Sequence, residues 1–137
     1  MPAQDQYHIS VRHALESAGW TITDDPLYLK YGQDALMMDL AASRVIAATR
    51  DEEKIVVEIK SFTARSDVNE FHGALGQYLN YRMALKRFDA TRKLFLAVPE
   101  EAFQRFFIRD LARDAIALHQ IQILVYNPEE EVILQWI

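Results

Sequence analysis

The sequence predicts an α/β fold with a central mixed sheet flanked by helices. Two observations carry this. Short apolar or alternating runs crowd residues 20–61, ahead of one long amphipathic stretch at 67–87. Beyond it, strand-like runs at 93–98 and 121–126 alternate with a helical segment at 100–118, the pattern of parallel strands joined by crossover helices. With 137 residues, 50% of them hydrophobic, the chain reads as one domain with a substantial core.

The elements follow in order. Tyr7, Val11, Ala14, Leu15 and Ala18 form one stripe at helical spacing, predicting a helix over 4–18 that Gly19 stops. Residues 20–23 alternate as a strand. Asp24, Asp25 and Pro26 turn the chain, because proline biases the preceding residue away from helix. Residues 27–31 alternate again, 32–34 turn, and 36–42 is an apolar strand whose only charge is Asp39. Ser43 and Arg44 are expected to separate it from a further strand at 45–49, with a charged hairpin turn at 50–53.

Residues 54–61, KIVVEIKS, then read as a largely buried strand. Period-two alternation puts Glu58 and Lys60 on one face and Val57 and Ile59 on the other. Ser66 is a candidate N-cap for the 67–87 helix, with Asp67 in its first turn. Pro99 closes the 93–98 strand, and the helical stretch at 100–118 is expected to break near Ile108. Strands at 121–126 and 132–136 are joined by a hairpin-like 127–131 segment. This element order matches the common core of the restriction-endonuclease-like fold.

Composition narrows the function. There is no cysteine, hence no disulfide framework and no thiolate zinc site. The polar start MPAQDQYHIS has no signal-peptide core, and no apolar run reaches membrane length, so a cytoplasmic protein is expected. No Ser-His-Asp arrangement, phosphate loop or dinucleotide fingerprint is present. The net charge of −5 argues against a nucleic-acid binder until it is divided along the chain. Residues 54–93 hold eight bases against four acids, while both flanking segments are acidic. Arg82, Lys86, Arg87, Arg92 and Lys93 are therefore candidates for contact with a polyanion, or else solvated charges at a helix end.

Burying an unpartnered charge costs several kcal/mol, so Asp39, Glu58 and Lys60 on apolar strands call for a reason. Two carboxylates and a backbone carbonyl, here that of Ile59, offer the hard oxygens that magnesium prefers. Lys60 would stand beside a bound water or phosphate. This is the arrangement with which PD-(D/E)XK nucleases cut phosphodiesters. Gln77 and Tyr81, four residues apart, share a helix face, and Gly76 leaves room for close approach. His8 lies beside the apolar stripe of the first helix as an additional candidate, and Asp5 or Glu16 could supply an acid from that helix instead. The plain alternative is that Glu58 and Lys60 emerge as a solvated pair at a strand end.

Taken together, MPAQDQYH, AGWTITDDPL, MDLAA, KIVVEIKSF, ALGQYLNYR and VILQWI resemble the XisH-type fdxN element excision controlling factors over essentially the whole chain. The resemblance implies a single restriction-endonuclease-like domain that takes part in recombinase-driven excision of a DNA element together with a companion XisI-type protein. It places the nuclease positions at Asp39, Glu58, Lys60 and Gln77, with magnesium, or manganese, as the metal. Met38 stands where the wider superfamily often has proline before the aspartate. The implied partners are DNA, the companion protein and the site-specific recombinase, in a homodimer or a hetero-complex. Three readings follow: a metal-dependent DNA endonuclease or nicking subunit, a non-catalytic regulator that binds the recombinase or the companion, and a structural domain with an idle acidic pocket.

Overall fold

Gly19, at φ 94°, ends helix α1 (His8–Ser17) in the left-handed region, as its place behind the apolar stripe predicts. The computed structural model describes residues 4–137, so the first three residues of the N-terminal motif lie outside the described residues. Helix α1 starts at His8 rather than at residue 4. The Asp5 side chain accepts from the Tyr7 amide at 2.9 Å and the Asp5 carbonyl from the His8 amide at 3.0 Å. An aspartate that bonds to nearby amides in this way competes with helical pairing.

Strands β1 (Thr21–Asp24), β2 (Leu27–Tyr31) and β3 (Asp34–Met38) come next, then β4 (Leu40–Val45) and β5 (Glu52–Ile59). The single strand expected at 36–42 is in fact two. β3 pairs with β2 in a separate two-stranded sheet, whereas β4 joins the main sheet, and the chain bends at Asp39 between them. Nor do Ser43 and Arg44 interrupt a strand. They lie within β4, opposite Lys54 and Glu53, and Arg44 Nε donates to Glu53 at 3.0 Å. The strand expected at 45–49 is a turn, closed by the Ile46 carbonyl accepting from the Arg50 amide at 2.7 Å.

Helix α2 (Asp67–Phe88) begins where expected, the Ser66 side chain accepting from the Asn69 amide at 3.2 Å. β6 (Arg92–Pro99), α3 (Glu100–Arg105), α4 (Asp110–His119), β7 (Ile123–Asn127) and β8 (Val132–Trp136) complete the order. The expected break near Ile108 is the joint between α3 and α4. The main sheet runs β1-β4-β5-β6-β7-β8. β5, β6 and β7 are parallel and the remaining pairs antiparallel, so the crossovers are α2 and the α3–α4 pair.

Two apolar clusters cover the faces of this sheet. Val57 and Ile59 point into one with Val11, Leu15 and Trp20, while Val56 faces Phe71, Tyr78 and Phe106 in the other. Alternation along β5 thus binds α1 to one face and α2–α4 to the other through burial of apolar side chains. Among the described residues no helix is long and apolar enough to cross a membrane.

Candidate metal-dependent active site

The bend at Asp39 and the C-terminal end of β5 face each other. The ladder between β4 and β5 stops at Leu40 and Val57. One step further, side chains replace backbone pairing. The Asp39 amide donates to Glu58 Oε1 at 3.0 Å, and the Ile59 amide donates to Asp39 Oδ2 at 2.8 Å. Each acid thus spends one oxygen holding the backbone of the other strand. Asp39 Oδ1 and Glu58 Oε2 are left to the cleft.

That cleft has a volume of about 340 Å3 and is lined by Asp39 at the bend, Glu58 and Ile59 of β5 and Lys60 just beyond it. Of the three charges expected on apolar strands, only Glu58 lies on a strand and is buried. Gln77 and Tyr81 of α2, Met37 and Asp5 complete it. The structure therefore brings Asp39, Glu58, Lys60, Gln77 and Tyr81 together. Divergent side chains at the two acids would have left only a regulatory or structural reading.

Tyr81 and Gln77 form a directed chain. Tyr81 donates its hydroxyl proton to the Met37 carbonyl at 2.9 Å, so its oxygen can only accept, and Gln77 Nε2 donates to it at 2.9 Å. Gln77 Oε1 is consequently turned away, buried and without a hydrogen-bond partner. Burial, and next the charge of Glu58, raise the Tyr81 phenol above its ordinary range, which keeps the donated proton in place.

Glu58 is only 3% exposed. Burial first, and then the charge of Asp39, push its carboxyl from 4.5 up to about 9, and the charge of Lys60 offsets only part of this. Among the described residues no group of three His, Asp or Glu side chains is placed to hold a metal unaided. The donors fit a hard cation that keeps several of its own waters, as magnesium does. The raised Glu58 keeps its proton beside Asp39, and a cation held by the two acids would take that proton's place.

His8 is not at this cleft. Buried on α1, it bonds through Nε2 to Asp25 Oδ1 at 2.6 Å, and Arg12 holds the other oxygen of Asp25 at 2.6 Å. Glu16 lies near Arg12, at 3.7 Å. The acid from the N-terminal segment that does line the cleft is Asp5, whose Oδ2 accepts from the Ser61 amide at 2.9 Å. It was legible only as one of several acids, because its place depends on the turn ahead of α1. Gly76 faces open space, a Cβ there meeting nothing within 4 Å, so no close approach of protein backbone requires it.

The basic segment divides, Arg82, Lys86, Arg92 and Lys93 lining one recess and Arg87 lying apart. Arg82 donates to the His119 carbonyl at 2.6 Å, Arg92 donates to Asp89 at 2.7 Å, and Arg87 lies over the rings of Tyr31 and Phe88.

Comparison with known proteins agrees with the architecture. The family model described as XisH protein matches residues 1–134. The crystal structure of an XisH family protein from Nostoc punctiforme PCC 73102 is 46% identical, covers 97% of this chain and 99% of its own, and superposes with a TM-score of 0.88. An fdxN element excision controlling factor protein from Anabaena variabilis is 44% identical, covers 98% and 99%, and gives 0.89. No curated protein matches. The expected restriction-endonuclease-like arrangement of a central mixed sheet between helices holds. By sequence and by fold, this chain belongs to the XisH family.

Proposed function

We propose that this chain serves excision of a DNA element as a magnesium-dependent, PD-(D/E)XK-type endonuclease or nicking subunit. The family's tie to control of fdxN element excision supports the setting. The observation that carries the chemistry is the reciprocal clamp of Asp39 and Glu58, with Lys60 and Gln77 lining the same cleft.

When bound, magnesium or manganese supplies charge neutralisation at the scissile phosphate and an acidified water. The residues of the chain do the rest. Asp39 and Glu58 would hold the cation, with the Ile59 carbonyl as a further oxygen donor. Lys60 sets a positive charge against the phosphate and orients the attacking water. Gln77, locked by Tyr81, walls the cleft beside the acids.

The test is a cleavage assay on branched and linear DNA with added magnesium or manganese, with and without the companion XisI-type protein. The parent protein should cut or nick, and Lys60→Ala should lose at least a hundredfold in rate while keeping its melting temperature. No metal-dependent product from any of these substrates would remove the reading.

One observation favours a second reading, a non-catalytic regulator that binds the recombinase or the companion protein. β8 forms an edge of the main sheet and carries no charged residue, so its outer backbone groups offer a place for a strand of another chain. Trp136, 40% exposed, lies against Phe95 and Trp20, with ring centroids at 4.9 and 5.9 Å. Light scattering should show a mass above the monomer, alone or with the companion, and a monomer indifferent to it would remove this reading.

A further inference from the structure

A second recess, of about 260 Å3, lies between the last turns of α2 and the starts of β6 and β7. Four cations line it, Arg82 and Lys86 from α2 and Arg92 and Lys93 from β6, with Gln120 and Gln122 beside them and no acid among the lining residues. Lys86 follows Gln77 by nine residues. At about 100° and 1.5 Å per residue it leaves the opposite side of α2, about 13 Å along the axis, so this recess is not an extension of the acid cleft.

Cations near a helix C-terminus answer the helix dipole, and Lys86 and Arg87 do so in the last turn of α2. That role does not account for four cations around one hollow. Two of them are fixed in place. Arg82 Nη1 donates to the carbonyls of His119 at 2.6 Å and Gln120 at 3.3 Å, and Arg92 Nε donates to Asp89 at 2.7 Å with Asp24 3.8 Å from Nη2. Lys86 and Lys93 are exposed and make no ion pair among the described residues. Asp24 and Asp89 balance Arg92, and the local charge stays positive because Arg82, Lys86 and Lys93 have no acid beside them among the lining residues.

The second observation is an orphan donor. Arg92, its side chain 13% exposed, has a buried Nη1 with no hydrogen-bond partner. An unsatisfied charged donor is costlier than a neutral one, so the Arg92 guanidinium at the recess wall is not fully satisfied by the protein around it. The volume is several times the roughly 30 Å3 that a water takes up in the liquid, enough for a tetrahedral oxyanion with water around it.

We propose that this recess is an anion site that binds a phosphate group, as monoester or diester, independently of the acid cleft and of any cleavage there. The first probe is inorganic phosphate against chloride at matched ionic strength. Phosphate should raise the melting temperature in a saturable way. The double variant Lys86→Glu/Lys93→Glu, at two exposed positions, should weaken the phosphate response at least tenfold and leave the response to magnesium unchanged. Lys86→Ala/Lys93→Ala should give a smaller loss in the same direction. Short oligonucleotides with and without a 5′-phosphate then identify the source. Equal affinity, lost in the double variant, assigns a backbone diester, and affinity that needs the 5′-phosphate assigns a terminal monoester. A phosphate response no larger than that of chloride, or one kept at full strength in the glutamate variant, overturns the proposal.

Discussion

A divalent cation that enters between Asp39 and Glu58 must displace a proton. Burial and the charge of Asp39 hold the Glu58 carboxyl at about 9, so near neutral pH the folded protein carries it protonated. Metal and proton then compete for one group, and metal binding releases protons. Below about pH 9 the apparent affinity should climb by close to tenfold per pH unit and level off above it. At pH 7 that leaves it on the order of 100-fold under its limit. Titration calorimetry with magnesium or manganese, in buffers of different ionisation enthalpy, reads both quantities. Close to one proton should leave per cation at pH 7, and Glu58→Gln should bind more weakly with little dependence on pH.

Stability gives the matching sign. A carboxyl raised from 4.5 to about 9 keeps its proton in the folded state where the unfolded chain has lost it. Stability without metal therefore falls as pH rises from about 4.5 to 9, by on the order of 3 kcal/mol between roughly pH 5 and pH 7. Denaturant unfolding of Glu58→Gln should lack that fall. A metal affinity that changes less than about twofold from pH 6 to pH 8, or a slope that survives Glu58→Gln, would refute the reasoning.

Three further outcomes are expected. Gly76→Ala, at an exposed position in α2 where a Cβ meets nothing, should stabilise the protein by about 0.5–1 kcal/mol in denaturant unfolding. If a phosphate passes close to that turn, the same variant should slow cleavage despite its greater stability. Ser66→Ala removes the cap on the Asn69 amide and should cost about 1 kcal/mol by thermal unfolding. Tyr126→Phe deletes a buried hydroxyl that has no partner and keeps the ring, so its denaturation midpoint should stay level or rise.

The sequence by itself determined the local elements whose signals lie within a few residues. Ser66 capping α2, Gly19 ending α1, Pro99 closing β6 and the break between α3 and α4 each follow from backbone chemistry at one position. The alternation of Val57, Glu58, Ile59 and Lys60 likewise fixed which side chains face the cleft, because a strand has only two faces. Tertiary structure alone decided the rest. Residues 36–42 read as one apolar run, yet the chain breaks at Asp39, since its amide and carboxylate find partners on β5, 19 and 20 residues away. The places of Asp5 and His8 were equally hidden. Both belong to the N-terminal segment, but Ser61 draws the carboxylate of Asp5 to the cleft while Asp25 holds the His8 ring away from it. Periodicity reports which face a residue occupies; which distant group that face meets depends on how the strands cross and pair, and no local pattern encodes it.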